Sequence, residues 1–254
     1  MSVSLKNISL KLSGKSILDN ISVTFRPAEL TILLGPNGAG KSSLLKMITR
    51  EWACNGEIHY FDIPASDWKP EHIARHLGVL PQSSSLSFNF TVREVVELGA
   101  MTLKASQNQI RSIADKYMQA SDISHLSDRL YPSLSGGEKQ RVHLARILTQ
   151  LEQSGNQKIV LLDEPTSALD LSHQHKTLQQ AKSLTKEGAS VVAVIHDLNL
   201  AAKYADRVMI LDQGKLVADG SPWETLTEEK ILEVYNWPVK VINHPEKDHP
   251  VILS

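Results

Sequence analysis

Near the N-terminus, apolar residues alternate loosely with polar ones: Val3, Leu5, Ile8 and Leu10, then Ile21, Val23 and Phe25. A period near two predicts short β-strands covered on one face. After Pro27-Ala28-Glu29 the alternation gives way to Leu30-Thr31-Ile32-Leu33-Leu34, a short, largely apolar run suited to a buried strand. The period then lengthens, and Leu44, Leu45 and Ile48 predict a helix over Lys41 to Arg50. From Thr91 to about Pro132, Val92, Val95, Val96 and Leu98, then Ile110, Ile113, Tyr117 and Met118, predict two or more amphipathic helices without a strong strand. A helix from about Gly136 to Gln150 follows, and then three strand-like runs: Ile159 to Leu162, Val191 to Ile195 and Val208 to Leu211. Helical segments separate these runs, the pattern of a parallel sheet covered by helices. Residues 215–254 read as an appendix: a hairpin-like Lys215 to Gly220, a helix near Glu228 to Tyr235 and a final extended stretch. The chain carries no internal repeat and no low-complexity segment.

Length allows one large domain, or a domain with a lobe, with a substantial core. The sequence is 41% hydrophobic and 22% charged with a formal net charge of -1, which gives no electrostatic case for a nucleic-acid partner. A single cysteine, Cys54, excludes an internal disulfide framework and is expected to be a small buried filler. The first residues lack the basic region and apolar run of a secretory signal. No apolar stretch approaches the ~20 residues that span a bilayer, so any membrane role is expected to run through another chain.

Chemistry enters with Gly35-Pro36-Asn37-Gly38-Ala39-Gly40-Lys41-Ser42, followed by Ser43. These residues have P-loop spacing, with a strand before and a helix after, and they are the candidate ATP-binding residues. The glycines let backbone amides converge on phosphate oxygens at a helix N-terminus. Lys41 is expected to reach the β- and γ-phosphates and Ser42 to ligate Mg²⁺. Asp163 ends an apolar strand, where a carboxylate can hold Mg²⁺ through water, and Glu164 follows it, projecting differently.

The P-loop, the Leu134-Ser135-Gly136-Gly137-Glu138 element and the Ile159-to-Pro165 strand end resemble, in that order, the ATP-binding cassette of ABC proteins. The resemblance extends from residue 3 to about 235. It implies an α/β fold: a P-loop NTPase core with a parallel sheet (residues 1–90 and 134–254, with the appendix), an N-terminal antiparallel β subdomain, and an inserted helical lobe (91–133). It implies Glu164 as the general base, His196 as the switch histidine at the γ-phosphate, and Gln82 as the glutamine that approaches Mg²⁺ beside Ser42 and Asp163. Ser135, Gly136, Gly137 and Asp170 would act across a head-to-tail homodimer, on ATP held by the second copy. One departure stands out. The family's adenine-stacking aromatic is absent, and Leu12 lies roughly where that ring belongs, with no Phe, Trp or Tyr before Phe25.

Phe90-Thr91-Val92-Arg93-Glu94-Val95-Val96-Glu97-Leu98-Gly99 and His196-Asp197-Leu198-Asn199-Leu200 resemble ATPases of importers for iron chelates, haem and cobalamin. The polar extension Glu152 to Lys158, Leu169 to His175 and the ending Asn243-His244-Pro245 through Leu253 lean toward the haem-import group. That resemblance implies a membrane permease dimer as partner, contacted near Ser83 to Asn89. It also implies a periplasmic haem-binding protein in the same system and a peripheral place on the cytoplasmic face of the inner membrane. A ferric siderophore or cobalamin is the alternative cargo, and a soluble Fe–S assembly ATPase the alternative class. The ten histidines are not read as haem ligands. On a helix, His173 and His175 point about 200° apart, and His244 and His249 are expected to be surface or packing residues.

Overall fold

The computed structural model describes residues 1–82 and 88–254. Strands β1 (Val3–Leu12) and β2 (Lys15–Phe25) pair antiparallel. Ser13 and Gly14 close the hairpin, both with positive φ (48° and 79°), which matches the twist of two joined strands. The loose alternation in β1 has a structural cause. The register shifts between Leu5 and Ile8, with Asn7 at φ 52°, so Val3 and Leu5 on one side of the shift and Ile8 and Leu10 on the other all face inward.

The chain then runs through β3 (Glu29–Leu34), α1 (Lys41–Ile48), β4 (Asn55–Tyr60), β5 (Ile63–Pro64), a short α2 (Pro70–Ile73) and β6 (Leu77–Leu80). Strands β4 and β5 complete a four-stranded antiparallel sheet in the order β2-β1-β4-β5. Cys54 is half-buried against this layer rather than enclosed within it. Residues 92–133 hold α3 (Val92–Glu97), α4 (Gln107–Ala120) and short 3₁₀ turns joined by loops. Thr91 with Glu94 and Ser106 with Gln109 cap α3 and α4 reciprocally, each pair satisfying end amides that the helix leaves unpaired.

After α5 (Gly136–Gln150) come β7 (Ile159–Asp163), α6 (Leu171–Lys186), β8 (Ser190–Val194), α7 (Leu198–Tyr204), β9 (Arg207–Asp212) and β10 (Lys215–Gly220). The six-stranded sheet has the order β10-β9-β3-β8-β7-β6, parallel except for β10. Its central strands are apolar on both faces, and successive residues go to different cores. Leu30, Ile32, Leu34, Val160, Leu162, Val191 and Ala193 join the helices, whereas Leu33, Ile159, Leu161, Val192 and Val194 join α1 and the antiparallel sheet. The chain ends in α8 (Pro222–Thr225), α9 (Glu228–Tyr235) and a hairpin, β11 (Lys240–Asn243) with β12 (Pro250–Leu253), so the final extended stretch is two paired strands.

Register fixes the position of the site. Leu33 pairs with Val194, Val194 with Asp163, and Leu162 with Leu80. The carboxyl ends of β3, β8, β7 and β6 therefore finish together and release residues 35–42, His196, Asp163-Glu164 and Gln82 along one edge. That is where open α/β sheets bind ligands.

Candidate active site

Gly40 closes the loop between β3 and α1 with φ 102°. A Cβ there would stand 2.8 Å from Leu18 Cδ2 and 2.9 Å from the Ile17 carbonyl. Strand β2 therefore lies directly on the phosphate loop, and only glycine fits. Lys41 is buried, and its Nζ donates to the carbonyls of Gly35 (2.7 Å) and Pro36 (2.9 Å). An ammonium has three donors, so the curl of the loop holds Lys41 by two. Burial pushes its pKa down, and the negative charges of Glu164 and Asp163 oppose that shift.

Ser42 Oγ donates to Asp163 Oδ1 at 3.1 Å. Burial raises the Asp163 pKa, and the hydroxyl counteracts it. A hydroxyl and a carboxylate, both hard oxygen donors, fit the few protein contacts that Mg²⁺ takes while keeping water and phosphate ligands. Gln82 is exposed just past β6, one strand from Asp163.

Glu164 has φ 52°, unusual for a residue with a side chain. Its carbonyl accepts three hydrogen bonds, from Ser167 N (3.2 Å), Ser167 Oγ (3.0 Å) and Gln140 Nε2 (2.9 Å), and its amide donates to Val194 O (3.1 Å). These bonds hold the strained turn that swings the Glu164 side chain away from that of Asp163. His196 Nε2 is 2.8 Å from Glu164 Oε1. An ionised carboxylate only accepts, so this nitrogen carries the proton in that pairing.

Ser135 caps α5 in a reciprocal box: its Oγ accepts from Glu138 N (3.3 Å) and its amide donates to Glu138 Oε2 (2.7 Å). Helix geometry gives the Gly136 and Gly137 amides no partner within α5, so this end presents donors suited to an anion. A Cβ on Gly137 would lie 2.8 Å from the Ala168 carbonyl, which places the Leu134–Glu138 turn directly on loop 166–170. Asp170 caps α6. The His173 amide and ring and the Ser172 hydroxyl donate to it and hold its pKa down to about 2.

Four residues at the site have no obvious sequence motif. Gln140 shares a helix face with Gly136, four residues back, and that spacing is its only sequence signal. Burial raises the pKa of the Tyr235 phenol, from α9, to about 12, and the nearby Gly35 backbone opposes that rise. Ile17 and Leu18, rather than Leu12, press on the phosphate loop, and Leu12 stands 40% exposed at the hairpin end. The other histidines take separate partners: His173 meets Asp170, His175 Nδ1 meets the Tyr204 hydroxyl at 2.8 Å, and the rings of His244 and His249 meet at a tilt with centroids 4.6 Å apart. Among the described residues, no group of three or more His, Cys, Asp or Glu is placed to hold a metal ion.

A parallel sheet releasing a glycine loop, an enclosed lysine and a serine–carboxylate pair at one edge defines a P-loop nucleoside triphosphatase. Residues 18–167 match the ABC transporter family. Over 249 residues the chain is 57% identical to the hemin import ATP-binding protein HmuV of Photobacterium damsela subsp. piscicida, covering 98% of this chain and 94% of that protein. It is 54% identical to the protein so named in Aliivibrio fischeri (100% and 98% covered) and 52% identical to that of Vibrio cholerae (97% and 96%). Among solved structures, cbiO1 from Clostridium perfringens, part of the ABC transporter complex cbiONQ, aligns with a TM-score of 0.76 at 26% identity, covering 91% and 92% of the two chains. The ADP conformation of the ATP-binding cassette MJ1267 aligns at 0.78 and 22%, covering 92% and 98%. The chain belongs to the ABC transporter family and is an ATP-binding, ATP-hydrolysing subunit that works with a membrane permease.

Proposed function

We propose that this chain energises haem import, as the ATPase subunit of a bacterial ABC importer, with Glu164 as its general base. The observation that carries the catalytic part is the 2.8 Å His196–Glu164 pair at the strand edge that also holds Lys41, Ser42 and Asp163. The cargo rests on likeness to proteins named for hemin import over nearly the whole chain.

In this reading the loop amides from Gly35 to Ser43 and the Lys41 ammonium bind and orient the ATP phosphates. Ser42, Asp163 and Gln82 hold Mg²⁺, which when bound neutralises phosphate charge. Glu164 takes a proton from water as the water oxygen bonds to the γ-phosphorus and the bond to the ADP oxygen breaks. His196, its Nε2 proton facing Glu164, orients that carboxylate and then the γ-phosphate. Leu12 and its hairpin neighbours offer apolar contact to adenine in place of an aromatic ring. Ser135, Gly136, Gly137 and Asp170 complete the site of a second copy, so the working unit is a head-to-tail homodimer.

Residues 91–133 serve as a lobe on a core of 1–90 and 134–254. Its exposed Met101 (82%) and Leu98 line one groove with Phe90 and Ile110, an apolar surface suited to the permease. Of the expected contact near Ser83 to Asn89, residues 83–87 lie outside the described residues. Among the described residues no helix is long and apolar enough to cross a membrane, and the subunit is proposed to sit peripherally on the cytoplasmic face of the inner membrane. A periplasmic haem-binding protein would deliver the cargo from the other side.

Deleting the gene and measuring uptake of haem, a ferric siderophore and cobalamin side by side tests this. Selective loss of haem uptake, restored by wild type and not by Glu164→Gln, is expected. Loss of a different cargo would discard haem. Normal uptake of all three, with no redundant ATPase, would favour a soluble ABC ATPase instead.

A further inference from the structure

His196 has no direct hold on the C-terminal hairpin, yet a short chain of contacts joins them. Asp197 caps α7, its Oδ1 accepting from the amides of Asn199 (2.8 Å) and Leu200 (2.9 Å). From the first turn of α7, the Asn199 side chain grips β12 on both polar atoms. Its Nδ2 donates to the Ile252 carbonyl at 3.0 Å, and its Oδ1 accepts from the Ile252 amide at 2.8 Å. Ile252 is buried with the helical-side core, so the hairpin is anchored there. The other end of α7 is tied to α6 through Tyr204 and His175.

A two-point amide-to-backbone contact fixes direction as well as distance, because both bonds must align at once. Asn199 lies three residues from His196, and nothing but the Asp197 cap intervenes between the strand end and the held turn. We propose that Asn199 is a positioning residue: by clamping α7 to β12 it fixes the His196 backbone so that the ring meets Glu164 and the γ-phosphate. The C-terminal hairpin is thereby part of the catalytic apparatus although it supplies no group to ATP. The inference rests on the proposed role of His196.

The test uses the full chain and compares Asn199→Ala, Asn199→Asp, His196→Ala and the double variant His196→Ala with Asn199→Ala, with steady-state ATPase rates normalised to folded protein. Asn199→Ala should lower kcat about tenfold while KM for ATP stays within about twofold, since a misplaced catalytic group costs rate and not phosphate binding. Asn199→Asp keeps the acceptor for the Ile252 amide and should fall between. Amide exchange should accelerate at 196–200 and 250–253 together. In the His196→Ala background the second substitution should cost nothing further, because both act through one ring. Unchanged kcat in Asn199→Ala with faster exchange at β12, or additive losses in the double variant, would overturn the proposal, leaving the hairpin a stabilising element only. If His196→Ala itself retains full kcat, the reading of the site fails, and this inference with it.

Discussion

The two structures added to the parallel sheet are attached in different ways. The antiparallel sheet meets the phosphate loop backbone to backbone. The Ile17 carbonyl packs on Gly40, the Asp19 amide donates to Gly214 O (2.9 Å), and the Gly214 amide donates to Ala39 O (3.1 Å). The helical segment at 91–133 is joined mainly through one long helix, α5, and through side chains. Gln140 reaches the Glu164 carbonyl, His143 meets Tyr131, and Lys176 pairs with Asp122. Backbone contacts fix a cradle in one shape, whereas side-chain contacts can exchange partners. The phosphate grip is thus held by hydrogen-bonded backbone, whereas the helical side meets the core by the close approach of Gly137 to Ala168 and by side-chain pairs that can exchange.

The strongest way to break this contrast is Gly40→Ala. The new methyl group would meet Leu18 and the Ile17 carbonyl at a φ of 102°, which strains any residue with a side chain. ATP affinity is expected to fall by about ten- to a hundredfold, because strain of about 1–3 kcal/mol favours a loop shape that no longer cradles phosphate. Calorimetric titration with ATP checks it. Wild-type affinity would mean that β2 yields and the cradle is not rigid.

On the other side the buried histidine is the point to press. His143 is enclosed within α5, and its Nε2 is 2.7 Å from the Tyr131 hydroxyl. Burial first, then the Arg146 charge, depresses its pKa to about 4. The sign follows directly. Between the unfolded value near 6.5 and about 4 the unfolded chain takes up a proton that the native chain refuses, so stability is complete above that window and is lost as pH falls through it. The loss approaches roughly 3 kcal/mol. Urea unfolding at pH 7.5 and 4.5 should show that slope for wild type and a shallower one for His143→Gln. Identical slopes would mean that the ring is hydrated.

Gln140→Ala removes one of three donors to the Glu164 carbonyl. The other two remain on Ser167, so the turn should loosen and not collapse. kcat is expected to drop about tenfold at nearly constant KM. A change in KM alone would place Gln140 in nucleotide binding instead.

What the sequence disclosed tracks how local each feature is. The strands β3, β7 and β8 and the loops they release were legible, because largely apolar runs ending in glycine, Asp-Glu or histidine are contiguous signals. The α5 start was legible for the same reason, since Ser135 and Glu138 form a capping box within four residues. Region 55–73 gave no reading, because β4 and β5 are short, half-exposed strands whose pairing with β1 is long-range. Gln140, Tyr235 and Asn199 escaped because each acts on backbone far away in sequence, and a backbone partner leaves no residue pattern. The packing of Ile17 and Leu18 on the phosphate loop left no signal for the same reason, since it joins a strand to a loop far along the chain.

The smallest effect should come from Lys176→Ala, and it bears most directly on how the helical segment is attached. Lys176 Nζ lies 2.9 Å from Asp122 Oδ2, both side chains more than half exposed. Exposed pairs of this kind are weakened by solvent and by the entropy of ordering two long side chains. His173 Nε2, 3.7 Å from the same oxygen, remains to face Asp122. The melting temperature is therefore expected to move by less than about 2 °C, with kcat essentially unchanged. A larger loss, abolished by high salt, would show that this seam is held electrostatically. In that case the attachment of residues 91–133 would be specific rather than exchangeable, and the contrast with the backbone-locked cradle would have to be redrawn around Asp122.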